Sequence, residues 1–144
     1  SPNVVSALAE ALREPDEDLR RTAVIALGRL ARRSQDVQPI LLEAIDDENA
    51  SVRTMTIQTL ASLGAKAQFA TPRLIAALKD SAPRVRIEAA RALSLIGQAE
   101  KDAVAALQDL LLDQDHFVRR EAAEAIEQIA RDRQARRLKE RLHL

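Results

Sequence analysis

The side chains best suited to chemistry in this sequence are the carboxylates of Asp113 and Asp115 and the imidazole of His116. Oxygen and nitrogen donors at this spacing could bind a divalent metal ion. A structural interpretation is available, because Asp115 lies where a helix should begin and can cap its free N–H groups, while Asp113 belongs to a recurring series of acidic residues. We favour the structural interpretation and predict no metal site. We expect His143 to be solvated.

No catalytic constellation is evident. The two histidines have no candidate nucleophile near them in sequence, and there is no cysteine. Gly28, Gly64 and Gly97 are too far apart to form a loop that could cradle a phosphate. We predict that the protein is not an enzyme and needs no cofactor.

Four arginines recur about every 33 residues, and each follows an acidic residue by six positions. Evenly spaced arginines could bind the phosphates of a polyanion. An arginine paired with a carboxylate in a tight turn has its donors satisfied, however, so we predict that this series is structural and call it the arginine ladder. The residues at this six-residue spacing are Glu14 and Arg20, Asp47 and Arg53, Asp80 and Arg86, and Asp113 and Arg119.

A basic segment lies at residues 131–141, where six cations face two carboxylates. One interpretation is contact with nucleic acid or an acidic partner, and the other, which we favour, is the solvated face of a helix. The segment has no aromatic residue that could stack on bases. Its cations are Arg131, Arg133, Arg136, Arg137, Lys139 and Arg141.

Composition sets the general class of the protein. Lys plus Arg and Asp plus Glu each total 22, so no net charge draws the molecule to a polyanion or an acidic membrane. The absence of cysteine favours an intracellular compartment, and no stretch is apolar enough to cross a bilayer. We expect a soluble, cytoplasmic protein without a membrane partner.

The elements that must position these residues are two helices, A and B, that recur in each period. In helix A, small residues allow close packing, and Leu27, Leu60, Leu93 and Ile126 should fill the space between units. Gly64 and Gly97 are predicted to end helix A, with Gly28 as a displaced counterpart in the first unit. The predicted starts of helix A are the caps Asp16, Asn49 and Asp115 and the first-turn proline Pro83.

Helix B is predicted to begin near Pro39 and Pro72, where a missing N–H costs nothing. Its predicted ends are Asp47, Asp80 and Asp113. Its predicted core residues are paired four apart: Leu41 and Ile45, Leu74 and Leu78, and Leu107 and Leu111.

A turn Asp, a Val-Arg pair such as Val52-Arg53 or Val85-Arg86, an Ala-Leu-Gly stretch and a leucine-rich second helix recur together. This pattern resembles the HEAT-repeat family, especially its short bacterial variety, over nearly the whole chain. The resemblance implies an all-α, right-handed α-α superhelix in which a turn Asp hydrogen-bonds the Arg six residues later. The implied units are a lone helix B at 1–14, full repeats at 16–47, 49–80 and 82–113, and a last repeat with a basic capping helix at 115–144.

In this family the B helices usually line the concave surface, so their non-core side chains are the candidates for partner contact. We call this surface the B-helix face. Its small, apolar and singly charged side chains suit a protein or helical peptide better than DNA. The residues chosen are Glu10, Arg13, Ile40, Glu43, Arg73, Lys79, Asp109 and Leu112.

Other functions remain as alternatives. Nucleic-acid binding would use the basic C-terminal helix, and a phycobilin lyase-like subunit would follow from similar repeats in some of those proteins, although no chromophore-contact motif is present. Two related enzyme classes lack support: deoxyhypusine hydroxylases use His-Glu pairs for iron, and alkylpurine DNA glycosylases with helical repeats rely on Trp. The sequence has neither.

The ends of the array are predicted to be open. Because the chain starts in mid-repeat, we expect either a fragment of a longer array or a chain whose open ends meet another subunit. An exposed starting helix predicts self-association or fragment status. At the other end, the face formed by Ala135, Leu138 and Leu142 is predicted to let the final helix cap the array.

Overall fold

The computed structural model describes residues 2–96 and 101–143, in which every regular element is a helix. Short 3-10 segments lead into α3 and α5 and follow α7; they are Gln35–Val37, Gly64–Ala70 and Leu110–Leu112. The α-helices are α1 (Pro2–Ala11), α2 (Glu17–Ala31), α3 (Gln38–Ala44), α4 (Ala50–Ser62), α5 (Thr71–Ala77), α6 (Pro83–Ile96), α7 (Lys101–Asp109) and α8 (His116–Arg141).

The helices form two layers, as predicted for an α-solenoid. The A layer holds α2, α4, α6 and α8, each packed on the next, and the B layer holds α1, α3, α5 and α7, whose helices contact one another much less. Leu27, Leu60 and Leu93 are fully or almost fully buried between units, which confirms their predicted role, whereas Ile126 in α8 is only partly buried. Because each unit packs mainly on its neighbours, the core is continuous but built stepwise.

The predicted starts of helix A are confirmed. The side chain of Asp16 accepts a hydrogen bond from the backbone N–H of Asp18, and Asn49 and Asp115 each accept two such bonds in the first turns of α4 and α8. Pro83 is the first residue of α6. These acceptors satisfy N–H groups that a helix leaves without an internal partner.

The glycines prove to have different roles. Gly64 follows the end of α4 with φ of 56°, so it ends helix A as predicted. Gly97 lies outside the described residues. Gly28 is not a helix stop, because it lies buried inside α2, where a Cβ atom would come within 2.2 Å of Cγ2 of Thr59 in α4. Gly28 therefore permits close approach of two A helices.

Helix B is shorter than predicted. Although α3 and α5 have prolines in their first turns, they end at Ala44 and Ala77, three residues before the acidic turn residues. The chain leaves them through tighter i to i−3 bonds, such as the one from the N–H of Ile45 to the carbonyl of Leu42. At the end of α7 the predicted core residue Leu111 is exposed, and Leu110 is buried instead.

The last helix differs from the expected arrangement. Helix α8 runs without a break for 26 residues from helix A of the last unit through the basic segment. Ala135 is exposed, and Leu138 and Leu142 are more than half exposed, so this segment does not fold back to cover the end of the array. Among the described helices, none is long and apolar enough to cross a membrane.

Candidate functional site

The arginine ladder lies along the edge formed by the turns from helix B to helix A. Nη1 of Arg53 donates to the carbonyl oxygen of Asp47 at 2.8 Å and to that of Glu48 at 3.1 Å. The other edge of its guanidinium binds both carboxylate oxygens of Asp80 at 2.8 and 2.9 Å. Arg53 thus joins its own turn to the next one.

This geometry corrects one part of the expected pairing. The residue six positions before each arginine contributes its backbone carbonyl, and the carboxylate comes from the turn 27 residues later. Arg20 makes the same contacts with the carbonyl of Glu14 and the carboxylate of Asp47, so the Glu14 side chain is not needed for them. The ladder therefore connects successive units, which a pair within one turn could not do.

The carboxylates of Asp80 and Asp113 are held in their ionised form. Partial burial opposes ionisation of Asp80, but hydrogen bonds from Arg53 and from the N–H of Ala82, with the charges of Arg53 and Arg86, outweigh it and lower its pKa. Burial is likewise outweighed at Asp113, where Arg86 and the N–H of Asp115 donate hydrogen bonds and the pKa is lowered. Both carboxylates are stabilising only while charged.

The last two arginines of the ladder differ from the first two. Nη2 of Arg86 donates to Asp113 at 3.0 Å, whereas its Nε lies 3.0 Å from the other oxygen without hydrogen-bond alignment. Arg119 keeps the carbonyl contacts to Asp113 and Gln114 at 2.6 and 3.1 Å. Within the described residues it has no carboxylate on its other edge, and its side chain is exposed.

Asp113, Asp115 and His116, the residues with metal-ligand spacing, make contacts within the protein. Asp113 binds Arg86, and the carboxylate of Asp115 caps α8. The ring of His116 lies 4.0 Å from that of Phe117, centroid to centroid. No group of three or more His, Asp or Glu side chains in the described ranges is arranged to hold a metal ion.

The residues of the B-helix face are accessible at the surface. Leu112 is 88% exposed, which is the largest exposure among the exposed large apolar side chains of the described residues. Ile40 and Arg73 are half-buried, and the other chosen residues are exposed or partly exposed: Glu10, Arg13, Glu43, Lys79 and Asp109. The face therefore combines charged and apolar side chains, and the most exposed apolar side chain is that of Leu112.

Clefts between neighbouring B helices divide this face. A cleft of about 370 Å³ between α3 and α5 is lined by Arg73 and Ala76 together with the ladder residues Arg53 and Asp80. A smaller cleft of about 120 Å³ between α1 and α3 is lined by Arg13 and Glu43. Glu10, Ile40, Lys79, Asp109 and Leu112 line neither cleft. The B layer thus offers a row of shallow depressions rather than one deep pocket.

Two groups of charged contacts were not predicted from the sequence. Arg73 forms an ion pair with Asp46 of the preceding B-helix turn, at the same 27-residue spacing as the ladder. Glu88 is buried in α6 with Arg84 and Arg91 beside it, and Arg91 also binds both carboxylate oxygens of Glu121 in α8. The repeat spacing could have revealed the first contact. The second depends on the crossing of two A helices, which the sequence does not specify.

Comparisons with known proteins show which family has this architecture. A family profile described as HEAT repeats matches residues 5–71 and 71–144, which together span nearly all of the chain. No curated protein sequence matches it. An engineered protein of known structure is 26% identical with a TM-score of 0.64, and the match covers 89% of this chain and 63% of that one.

Two natural proteins of known structure are also similar. Human deoxyhypusine hydroxylase, solved in complex with glycerol, is 30% identical with a TM-score of 0.73 over 88% of this chain and 43% of the hydroxylase. An archaeal HEAT-like repeat protein from Thermococcus onnurineus NA1 is 22% identical with a TM-score of 0.50 over 88% of this chain and 55% of that one, which shows the fold alone. This chain spans less than two thirds of each of these three structures.

Proposed function

Because the chain belongs to the HEAT-repeat family, we propose that it is a non-enzymatic scaffold that binds another protein, or a helical peptide, along the B-helix face. Stacked helical repeats create long surfaces that suit such binding. The human hydroxylase is an enzyme on a similar repeat fold. The iron-binding His-Glu pairs expected of such enzymes do not occur in this sequence.

The observation that carries the proposal is the exposure of Leu112, which follows α7 in the same helix layer that holds the two clefts with charged walls. An apolar side chain this accessible contributes nothing to the core, whereas burial by a partner removes it from water. The charged residues along the same face, such as Arg13 and Glu43, can orient a partner through complementary charges. The two shallow clefts between successive B helices suit the projecting side chains of a helix.

Replacement of Leu112 by Asp tests this surface. We expect the variant to lose at least tenfold in affinity for partner protein captured from source-cell extract and identified by mass spectrometry, because the contact would bury an unpaired carboxylate. Its melting temperature should match that of the unchanged chain, since Leu112 is almost fully exposed.

The matched control is Leu95→Asp, which places the same charge at an exposed leucine of an A helix, α6. This variant should bind the partner as well as the original chain does. Equal binding by the Leu112 and Leu95 variants would exclude the B-helix face around Leu112.

A second candidate function is nucleic-acid binding through residues 131–141. It is favoured by the exposure of the basic end of α8, which extends past the packed part of the helix. Replacement of Arg136, Arg137 and Lys139 by Gln should then reduce retention on DNA or RNA and make it less dependent on salt, because fewer counterions are released. Retention that is unchanged by these three replacements, measured between low and moderate salt, would exclude this function.

A further inference from the structure

A cleft on the edge opposite the arginine ladder is lined by cations and, among the described residues, by no carboxylate. It has a volume of about 270 Å³ and lies where the turn after α2 meets the turn after α4. Both turns belong to complete helix pairs, α2 with α3 and α4 with α5. We call it the basic cleft, and its polar lining consists of Arg32, Arg33, Ser34, Gln35, Gln38 and Lys66.

The three cations of the basic cleft have no ionic partner within residues 2–96 and 101–143. Nη2 of Arg32 donates to the carbonyl oxygen of Ser62 at 3.2 Å, and Nζ of Lys66 donates to the carbonyl oxygen of Arg32 at 3.1 Å. Each contact uses one of several N–H donors on its group. The exposed side chain of Arg33 makes neither kind of contact in the same ranges. The cleft therefore keeps its charge and most of its donors.

A purely structural role explains only part of this arrangement. Cations are favourable at the C-terminus of a helix, and the contacts of Arg32 and Lys66 lie at the ends of α4 and α2. The turn after α4, however, is formed by Gly64 with φ of 56°, and Ala65 occupies the position of Arg32. Helix α4 thus ends without an arginine at this position, so the cluster after α2 is not needed to end a helix.

The charge of the basic cleft suits a dianionic group. Its three cations, with the adjacent Asp36 included, leave a surplus of two positive charges. A phosphate monoester carries roughly 1.5 to 2 negative charges at pH 7 and presents strong acceptor oxygens, whereas a carboxylate carries only one charge. The side-chain amides of Gln35 and Gln38 can donate further hydrogen bonds to those oxygens. The cleft therefore matches a phosphate monoester better than a carboxylate.

The cationic cluster does not recur along this edge. Arg32 corresponds to Ala65 in the next unit, and Arg29, one turn earlier on α2, corresponds to Ser62. A nucleic-acid backbone presents phosphates at regular spacing, so it would be matched by cations in successive units. No aromatic side chain of the described residues lines the cleft to stack on a base. These features favour a single phosphate group over a polyanion.

We propose that the basic cleft is a binding site for one phosphate monoester group, with Arg32, Arg33 and Lys66 as its cationic ligands. Arg32 follows the first helix A and Lys66 follows the second, so the phosphate would bridge two successive units. A phosphorylated side chain of a protein and a small phosphate ester present the same chemistry, and the experiment distinguishes them. None of the lining residues belongs to the B-helix face, so the two sites are tested independently.

Residue-resolved NMR titration tests the site with two probes, glycerol phosphate and a short peptide of glycine and alanine that contains one phosphoserine. Both probes should shift the amide signals of residues 32–38 and 66 in a saturable manner, and the same peptide without phosphate should shift none of them. Tighter binding of the phosphopeptide than of glycerol phosphate supports the site with a protein segment as the ligand. Equal or weaker binding of the phosphopeptide supports the site with a small phosphate ester as the ligand.

Replacement of the cations identifies the ligands of the phosphate. Arg33→Gln should raise the dissociation constant about tenfold through loss of one charge-assisted contact, and should leave the melting temperature unchanged because this side chain makes no internal contact in the described ranges. The double variant Arg32→Gln with Arg33→Gln should abolish saturable binding. Circular dichroism checks that the double variant is folded, and Arg33→Gln alone remains decisive if it is not.

The matched control for the double variant is Arg13→Gln with Arg137→Gln, which removes the same charge from two exposed arginines outside the cleft. It should bind both probes as the original chain does. Four results would each overturn the proposal: shifts that map outside the cleft, equal binding of the unphosphorylated peptide, unchanged binding by Arg33→Gln, or tighter binding of a short single-stranded oligonucleotide at the same residues.

Discussion

The first three ladder arginines each contact two turns at once, and this double contact determines how much one residue of the ladder contributes to stability. Asp80 is the acceptor of one arginine through its carboxylate and of the next through its backbone carbonyl. The six-residue spacing predicted that these residues act together but assigned the carboxylate to the wrong arginine. The two spacings, six and 27, together make one repeat, so the sequence alone cannot tell which acidic residue an arginine reaches.

Replacement of Asp80 by Asn should cost about 2 to 4 kcal/mol of unfolding free energy at neutral pH, because Arg53 loses a charged, largely buried partner. The pKa of Asp80 is lowered by folding, so its contribution is complete above the ordinary Asp value of about 3.9 and is lost as pH falls through the lower folded value. Urea unfolding of both proteins at pH 7 and in acid measures this difference.

The unfolding free energies of the two proteins should therefore converge in acid. Asp36→Asn serves as the control, since Asp36 is exposed, and it should change stability at neither pH. A deficit of the Asp80 variant that stays constant between pH 7 and strongly acidic solution would contradict the assigned ionic role.

At the scale of elements, packing between A helices depends on matched pairs of small residues. Gly28 faces Thr59, and the same positions are Ala61 with Ala92 in the next pair of units. Caps and first-turn prolines could be read from the sequence because each acts within one helix turn. The role of Gly28 could not, because it depends on the side chain of a helix 31 residues away.

Replacement of Gly28 by Ala should lower stability by roughly 1 to 3 kcal/mol through the clash with Thr59, less about 1 kcal/mol regained from helix propensity. The double variant Gly28→Ala with Thr59→Ala reproduces the Ala61 and Ala92 pair. It should recover the lost stability, as measured by denaturant unfolding of the four proteins in the cycle. Equal destabilisation of Gly28→Ala and of the double variant would show that the clash with Thr59 is not the cause.

At the scale of the whole molecule, the repeat period predicted the fold because the same contacts recur between every pair of neighbours. The unbroken path of α8 was not predicted, because a separate capping helix was expected by analogy with the earlier repeats. The sequence itself has no glycine or proline that would stop helix A before the basic segment. The candidate binding residues of the B-helix face could be chosen from their positions within the repeat. The clefts between B helices could not be predicted, because they depend on the distance between neighbouring B helices, which no residue pattern encodes.

The ladder also restricts how the length of this protein can change. A single residue inserted between Asp47 and Arg53 would shift Arg53 relative to one of its two turns and break a contact on that side. Insertion or removal of one whole repeat leaves each ladder arginine before the last one with both of its acceptors. Descendants of this sequence should therefore differ in length by whole repeats, with shorter insertions confined to the turns on the opposite edge.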